Sequence, residues 1–291
     1  MKLCTFRHPH TGAEHVGCVV GEQVFPTQFQ SMLMLLETCQ NDFSRIELQR
    51  SAFDLGSVEL LACVPRPKSL RDFYAFETHV RQARQKRGLD VPPEWYEFPA
   101  FYFSNHHAIT APFAPVKKPR HSQMLDYELE LACVIGKDGM DISRNEAEDY
   151  IAGYCIMNDW SIRDEQLREV KIGLGPAKAK DFATTLGAFL VTKDELADRR
   201  TSKGFDLEME VFVNGKRYGG GNFKTIYYSF AEMIERASRD VMLYAGDVIG
   251  SGTVGTGCLL ELDNSCFPYL EIGDVVEMRI ERLGVIRNQV V

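Results

Sequence analysis

The chain has 291 residues, 45% of them hydrophobic and 25% charged. This is ordinary globular composition, which excludes disordered and collagen-like classes, and a chain of this length hides roughly 75% of its unfolded surface on folding. The 33 basic and 41 acidic residues leave a formal charge of −8, which argues against a broad nucleic-acid surface but allows a local basic pocket.

In chain order, Leu3 to Phe6 and Val16 to Phe25 alternate like short strands, with Gly17 and Gly21 at turns or bends. Met32 to Thr38 is a short helical stretch. Val58 to Pro67 reads as a strand closed by Pro65 and Pro67, a hinge that divides a small N-terminal module, residues 1–65, from a larger domain, 66–291. Arg71 to Gly88 is partly helix-compatible and is interrupted by Pro92 and Pro93, the pattern of a segment able to close over a site. Strand signals return at Phe98–Phe103, Ala108–Ala111 and Leu125–Val134, and Ser143 opens a short helix over Asn145–Ile151. Asn214-Gly215 between two strand-like runs is the strongest hairpin signal. Ser229 with Glu232 is a capping box for a helix reaching Ala237. Gly246 to Arg287 is again strands with Gly turns. The alternation is not a regular βαβ repeat, so the expected fold class is α+β and strand-rich.

The eight cysteines include no C-x-x-C pair, and several sit in apolar runs, so they read as reduced, buried thiols. Residues 1–10 lack the apolar stretch of a signal peptide, and no run approaches the roughly 18 apolar residues of a membrane span. The expected location is cytoplasmic.

The most informative segment is Asp126-Tyr127-Glu128-Leu129-Glu130-Leu131. In a strand, Glu128 and Glu130 share one face, with Asp126 as a third acid, while Tyr127, Leu129 and Leu131 take the other. Carboxylates in a row repel one another unless they face open solvent or bind a cation. At Asn158-Asp159-Trp160 an acid ends an apolar run, and Arg163, Gln166, Gly173-Leu174-Gly175-Pro176, Lys178 and Lys180 follow. That sequence reads either as a charged loop with its own ion pairs or as a small pocket for an anionic substrate beside a metal. Of the histidines, His106 and His107 have no partner at zinc-ligand spacing, and His8, His10, His15 and His121 read as solvated.

DYELEL at 126–131, NDWSIRDEQ at 158–166, GLGPAKAKDFATTLG at 173–187, GSGTVGTGCLLEL at 250–262 and IGDVVEMRIERLGVIRN at 272–288 together resemble the fumarylacetoacetate hydrolase family, over roughly residues 66 to 291. The resemblance implies a β-roll-like catalytic domain and a divalent cation held by carboxylates. The chemistry it implies acts on 1,3-dicarbonyl or 2-oxo-acid substrates. Matched residue by residue, it makes Glu128, Glu130 and Asp159 metal ligands, and Asp126 a structural neighbour. Asp72-Phe73-Tyr74 followed by His79 resembles the fumarylacetoacetase-like branch, which implies Asp72 as a fourth ligand, His79 as general base and Glu261 as its orienting carboxylate. The small acylpyruvate and oxaloacetate branch has a Glu three residues after its His, where this chain has Gln82. A substrate-contacting Tyr of the fumarylacetoacetase branch is replaced here by Val170.

All-oxygen ligation suits Mg²⁺ or Ca²⁺, with Mn²⁺ an alternative. The resemblance assigns Arg163, Gln166 and Lys180 to substrate and oxyanion, and places Tyr102 and Thr253 against the substrate. The expected activity is metal-dependent hydrolysis of a C–C bond in an acylpyruvate-like substrate. Its alternatives are decarboxylation or keto–enol isomerisation of a 2-oxo diacid such as oxaloacetate, and a non-catalytic ligand-binding role. The expected partners are a small anionic oxo acid and, by analogy, a second copy of the chain, with no nucleic acid and no membrane. The apolar stretches Tyr227–Met233 and Val241–Tyr244 are the candidate dimer interface.

Overall fold

Two apolar runs set the centre of the molecule. In a computed structural model describing residues 1–291, Leu129–Ile135 and Ile151–Asp159 are antiparallel strands with every residue buried. Continuous apolar runs usually mark strands covered on both faces, and that is their situation here. Leu129, Leu131, Cys133 and Ile135 pack into one core, Ala132 and Val134 into a second on the opposite face. The strands lie in the middle of a 13-stranded mixed sheet. A separate four-stranded sheet is built from Glu208–Val213, Lys216–Asn222, Val275–Ile280 and Gly284–Gln289. Four α-helices complete the fold: α1 (Met32–Cys39), α2 (Glu77–Gln85), α3 (Arg163–Ile172) and α4 (Phe230–Ala237). The architecture is α+β and strand-rich.

The N-terminal strand Lys2–Arg7 pairs with Glu14–Val20 and also with Phe189–Thr192, so the first strands continue the large sheet. The Asn214-Gly215 turn has φ of 51° and 80°, the two positive values of a type I′ hairpin. Ser229 and Glu232 make the reciprocal capping box of α4.

Three sequence expectations change. Residues 145–151 are not an α-helix: only a short 3₁₀ turn, Ala147–Tyr150, forms, because Ile151 is claimed by the central strand. The segment 163–172, read as a loop, is helix α3, ended by Gly173 at φ 81°. Tyr228, Phe230 and Met233 are buried in the chain's own core, which leaves Tyr227 and Ala231 as the partly exposed apolar residues of that stretch, whereas Val241 and Tyr244 are exposed.

All eight cysteines are free thiols and only Cys266 is exposed. No helix is long and apolar enough to cross a membrane.

Strand register builds the site. Val248–Gly250 runs antiparallel to Leu129–Ile135 and parallel to Leu70–Phe73, which pairs with Phe101–Ser104. Gly250 lies opposite Asp72, and Asp72 opposite Tyr102. Because Leu129–Ile135 and Ile151–Asp159 are antiparallel, the start of the first sits beside the end of the second. Glu128, Glu130, Asp159 and Asp72 therefore meet at one end of adjacent strands.

Candidate active site

Asp72, Glu128, Glu130 and Asp159 each offer a carboxylate oxygen, and these four atoms lie within 4.8 Å of one another. All four side chains are buried, so the row of acids is not a solvated edge. The strand at 125–134 is interrupted: Leu125–Asp126 and Leu129–Ile135 are separate, and Glu128 enters the site from the break.

Two cations answer part of this charge. Lys180 Nζ donates to Glu128 Oε2 and to Asp159 Oδ2, both at 2.6 Å. Arg163 donates from Nη2 to Glu128 Oε1 at 2.7 Å, from Nε to Asp126 Oδ2 at 2.7 Å, and from Nη1 to Gln166 Oε1 at 2.9 Å. The last contact is set by α3, whose first turn places residues i and i+3 on one face. Lys180 stands four residues before Thr184, which is in register with Asp159.

The carboxylates divide sharply. Both oxygens of Glu128 are occupied by Lys180 and Arg163, and although burial opposes its charge, these cations hold its carboxyl below the usual range. The other three have less support: Lys180 reaches Asp159, but no lysine or arginine donates to Asp72 or Glu130. Burial, followed by the Asp159 charge, pushes Asp72 up to about 7. Burial and Asp72 push Glu130 well above its usual range, and burial raises Asp159 despite Lys180. Asp72 Oδ1, Glu130 Oε1 and Asp159 Oδ1 are buried with no hydrogen-bond partner. Three buried acceptor oxygens without donors, on carboxylates that come within 4.8 Å of one another, suit a hard divalent cation, so the residues fit such an ion.

A pH signature follows. Asp72 ionises near 4 in an unfolded chain but near 7 here, so its contribution favours the fold at low pH and is lost as pH rises through about 7. A bound cation reverses that loss. The melting temperature of the EDTA-treated protein should fall between pH 5 and pH 8, and Mg²⁺ should raise it more at pH 8. An equal Mg²⁺ effect at both pH values would refute the assignment.

Gly250 gives the cluster its space. A β-carbon there would lie 2.5 Å from Asp72 Oδ1 and 2.4 Å from Met157 Cε. Gly250→Ala should therefore cost about 1–3 kcal/mol through overpacking and weaken cation binding, read by thermal melts with and without Mg²⁺.

Facing the carboxylates is the proposed base. His79, on the buried face of α2, has Nδ1 3.2 Å from Glu261 Oε1. Tyr74 packs edge-on against its ring at 5.3 Å. Nε2 makes no hydrogen bond within the chain, and His79 lines a cavity of about 320 Å³ shared with Asp72, Glu128, Arg163, Lys180 and Thr253. Thr253 Oγ1 is buried and unpartnered. Tyr102 lines the same cavity, but its hydroxyl lies within hydrogen-bond reach of Asp72, at 2.8 Å, and of Asp159, and its one proton serves only one of these carboxylates at a time. The segment between α2 and Phe101–Ser104 is anchored: Trp95 Nε1 donates to the Tyr74 carbonyl at 2.8 Å, and Tyr228 Oη to the Trp95 carbonyl at 2.6 Å.

Asp126 is a part of the site that sequence reasoning left as a neighbour. Besides Arg163, it accepts from the backbone N–H groups of Leu259 at 2.8 Å and Leu260 at 3.0 Å. It thereby holds the 3₁₀ turn Leu259–Glu261 that carries the His79 partner. Its place two residues ahead of Glu128 was the only sequence signal.

A fumarylacetoacetate (FAA) hydrolase C-terminal model matches residues 68–291. The chain is 32% identical over 305 residues to the mitochondrial oxaloacetate tautomerase FAHD2A of Homo sapiens, covering 100% of this chain and 92% of that one. It is also 32% identical to 2,4-didehydro-3-deoxy-L-rhamnonate hydrolase of Sphingomonas sp., over 81% of this chain and 80% of that one. A probable 2-hydroxyhepta-2,4-diene-1,7-dioate isomerase of Mycobacterium abscessus superposes with a TM-score of 0.75 at 27% identity, covering 100% and 98% of the two chains. The chain belongs to the fumarylacetoacetate hydrolase family and is an enzyme of that family, whose members include hydrolases, isomerases and oxaloacetate tautomerases.

Proposed function

We propose that the protein is a divalent-metal-dependent keto–enol isomerase of a small 2-oxo diacid of the oxaloacetate type. The observation that carries this reading is one cavity lined by a carboxylate-backed histidine, two buried cations and Asp72, a member of the carboxylate cluster with its unpartnered acceptor oxygens. The similarity to an oxaloacetate tautomerase, over the whole of this chain, supports this reaction over the others. This reverses the order of expectation from sequence, where C–C hydrolysis stood first.

A cation such as Mg²⁺, Mn²⁺ or Ca²⁺, held by Asp72, Glu130 and Asp159 with Glu128 beside them, would polarise the 2-oxo group. His79 Nε2 takes a proton from the adjacent carbon and returns it to the carbonyl oxygen, while Glu261 stabilises the charged imidazole. Lys180 has three N–H donors and uses two, and Arg163 has five and uses three. The remaining donors are available to substrate carboxylates, and the free Thr253 hydroxyl adds one more.

A second reading, hydrolysis of a C–C bond in a longer acylpyruvate-like substrate, is favoured by the similarity to the Sphingomonas hydrolase. It uses the same base on water. The two part on one experiment: oxaloacetate and a panel of acylpyruvates are assayed with Mg²⁺ and after EDTA, following enol absorbance and pyruvate release. Isomerase activity predicts EDTA-sensitive loss of enol without cleavage or CO₂. Cleavage of an acylpyruvate with no acceleration of oxaloacetate enolisation would replace the first reading by the second.

A further inference from the structure

Beside the carboxylate cluster, and separate from it, stands a second group of potential ligands. His79 Nδ1, Cys258 Sγ and a Glu261 carboxylate oxygen lie within 4.8 Å of one another. Cys258 Sγ is 3.9 Å from His79 Nδ1 and 3.4 Å from Glu261 Oε2, and His79 Nδ1 is 3.2 Å from Glu261 Oε1. Tetrahedral zinc, with bonds of about 2.3 Å to sulfur and about 2.0 Å to nitrogen or oxygen, needs ligand atoms about 3.5 Å apart for sulfur pairs and about 3.3 Å for nitrogen–oxygen. The Cys258–His79 edge exceeds its value by about 0.4 Å, and Glu261 meets the sulfur through Oε2 and the imidazole through Oε1, each at close to the required separation. Glu261 Oε1 is fully buried and lacks a hydrogen bond of acceptable geometry despite its closeness to His79. A fully buried, unpartnered carboxylate oxygen 3.2 Å from the imidazole nitrogen, on a side chain that also meets the thiol, is a second mark of a ligand position.

We propose that His79, Cys258 and Glu261 form a second metal site, selective for a thiophilic divalent cation such as Zn²⁺, whose occupation switches the enzyme off. The donor set differs in kind from the carboxylate cluster, since thiolate and imidazole favour zinc over Mg²⁺. The charges close: Zn²⁺ with one thiolate and one carboxylate is neutral, which suits a buried position. The protons close as well. Cys258 releases its S–H proton to solvent, and the imidazole proton moves from Nδ1 to Nε2 as Nδ1 binds the ion. An imidazole carrying hydrogen on Nε2 cannot accept a proton there, so the base is lost. The fourth position falls to water from the cavity. The inhibitory part rests on His79 being the base; the binding part does not.

The test uses the full protein loaded with excess Mg²⁺, so that the carboxylate cluster is occupied. Co²⁺ serves as a spectroscopic probe, because thiolate ligation gives a charge-transfer band that carboxylates do not. Wild type should take up one Co²⁺ with this band, displaced by one equivalent of Zn²⁺, and Cys266→Ser should behave alike. Cys258→Ala and Cys258→Ser should lose the band and weaken Zn²⁺ binding by at least about tenfold. In wild type, Zn²⁺ should inhibit in step with band displacement. No band in the wild-type protein, or a band that persists without Cys258, overturns the site. A band with undiminished turnover keeps the metal site, overturns the switch and removes His79 as the base.

Discussion

Replacing Glu130 by Gln should lower Mg²⁺ affinity by about 100-fold or more while leaving the metal-free protein as stable as wild type, or more so. The reason lies in how charge is distributed among the four carboxylates. Glu130 receives one hydrogen bond, from Gly252 N at 2.9 Å, while its other oxygen has none. No lysine or arginine touches it, and it faces Asp72 and Asp159. A neutral amide removes a charge that only a cation could offset. Glu128 is the contrast. Both its oxygens are held by buried cations, so Glu128→Ala strips a partner from Lys180 and Arg163 and should cost about 3–5 kcal/mol. Titration calorimetry with Mg²⁺ and melts in EDTA separate the two variants. A metal-free Glu130→Gln protein that melts far below wild type would contradict this division of labour.

His79→Ala should reduce turnover by about 10²–10⁴-fold, the usual contribution of a positioned acid–base group, with Mg²⁺ affinity unchanged. His79 makes no contact with the four carboxylates; its partners are Glu261, Cys258 and Tyr74. Glu261→Gln should cost less, since the ring keeps its packing and loses only the charge that supports the imidazolium. Binding of Mg²⁺ followed by calorimetry, beside rates of enol loss, checks both variants. Turnover of His79→Ala near wild type would remove the histidine from the mechanism.

Much of this site was legible because its residues sit in short, regular segments. The two-residue spacing of Glu128 and Glu130 and the acid at the end of an apolar run carry their own geometry. The capping box of α4 and the Asn214-Gly215 turn were readable for the same reason. Other parts were not. Helix α3 has a mixed surface with only Arg163 buried, so its pattern carries little of the amphipathic signal that marks a helix. Burial of the acids depended on a sheet whose far strands come from residues 70–73 and 248–250, and strand alternation alone cannot distinguish a covered face from an open one. Cys258 gave no signal at all, because its partners lie 179 and 3 residues away.

Asp126 ties the Arg163 guanidinium and the turn bearing Glu261 to one buried carboxylate, across 37 and 133 residues of chain. Two roles that a chemist would separate, the proposed anion grip and the proposed base, are thereby referred to one origin. One side chain bridges the two, like a pivot shared by the arms of a caliper. A shift of the arginine would therefore bear on the turn that carries Glu261 as well, whereas apolar walls of the cavity such as Phe101 and Leu167 stand outside this tie.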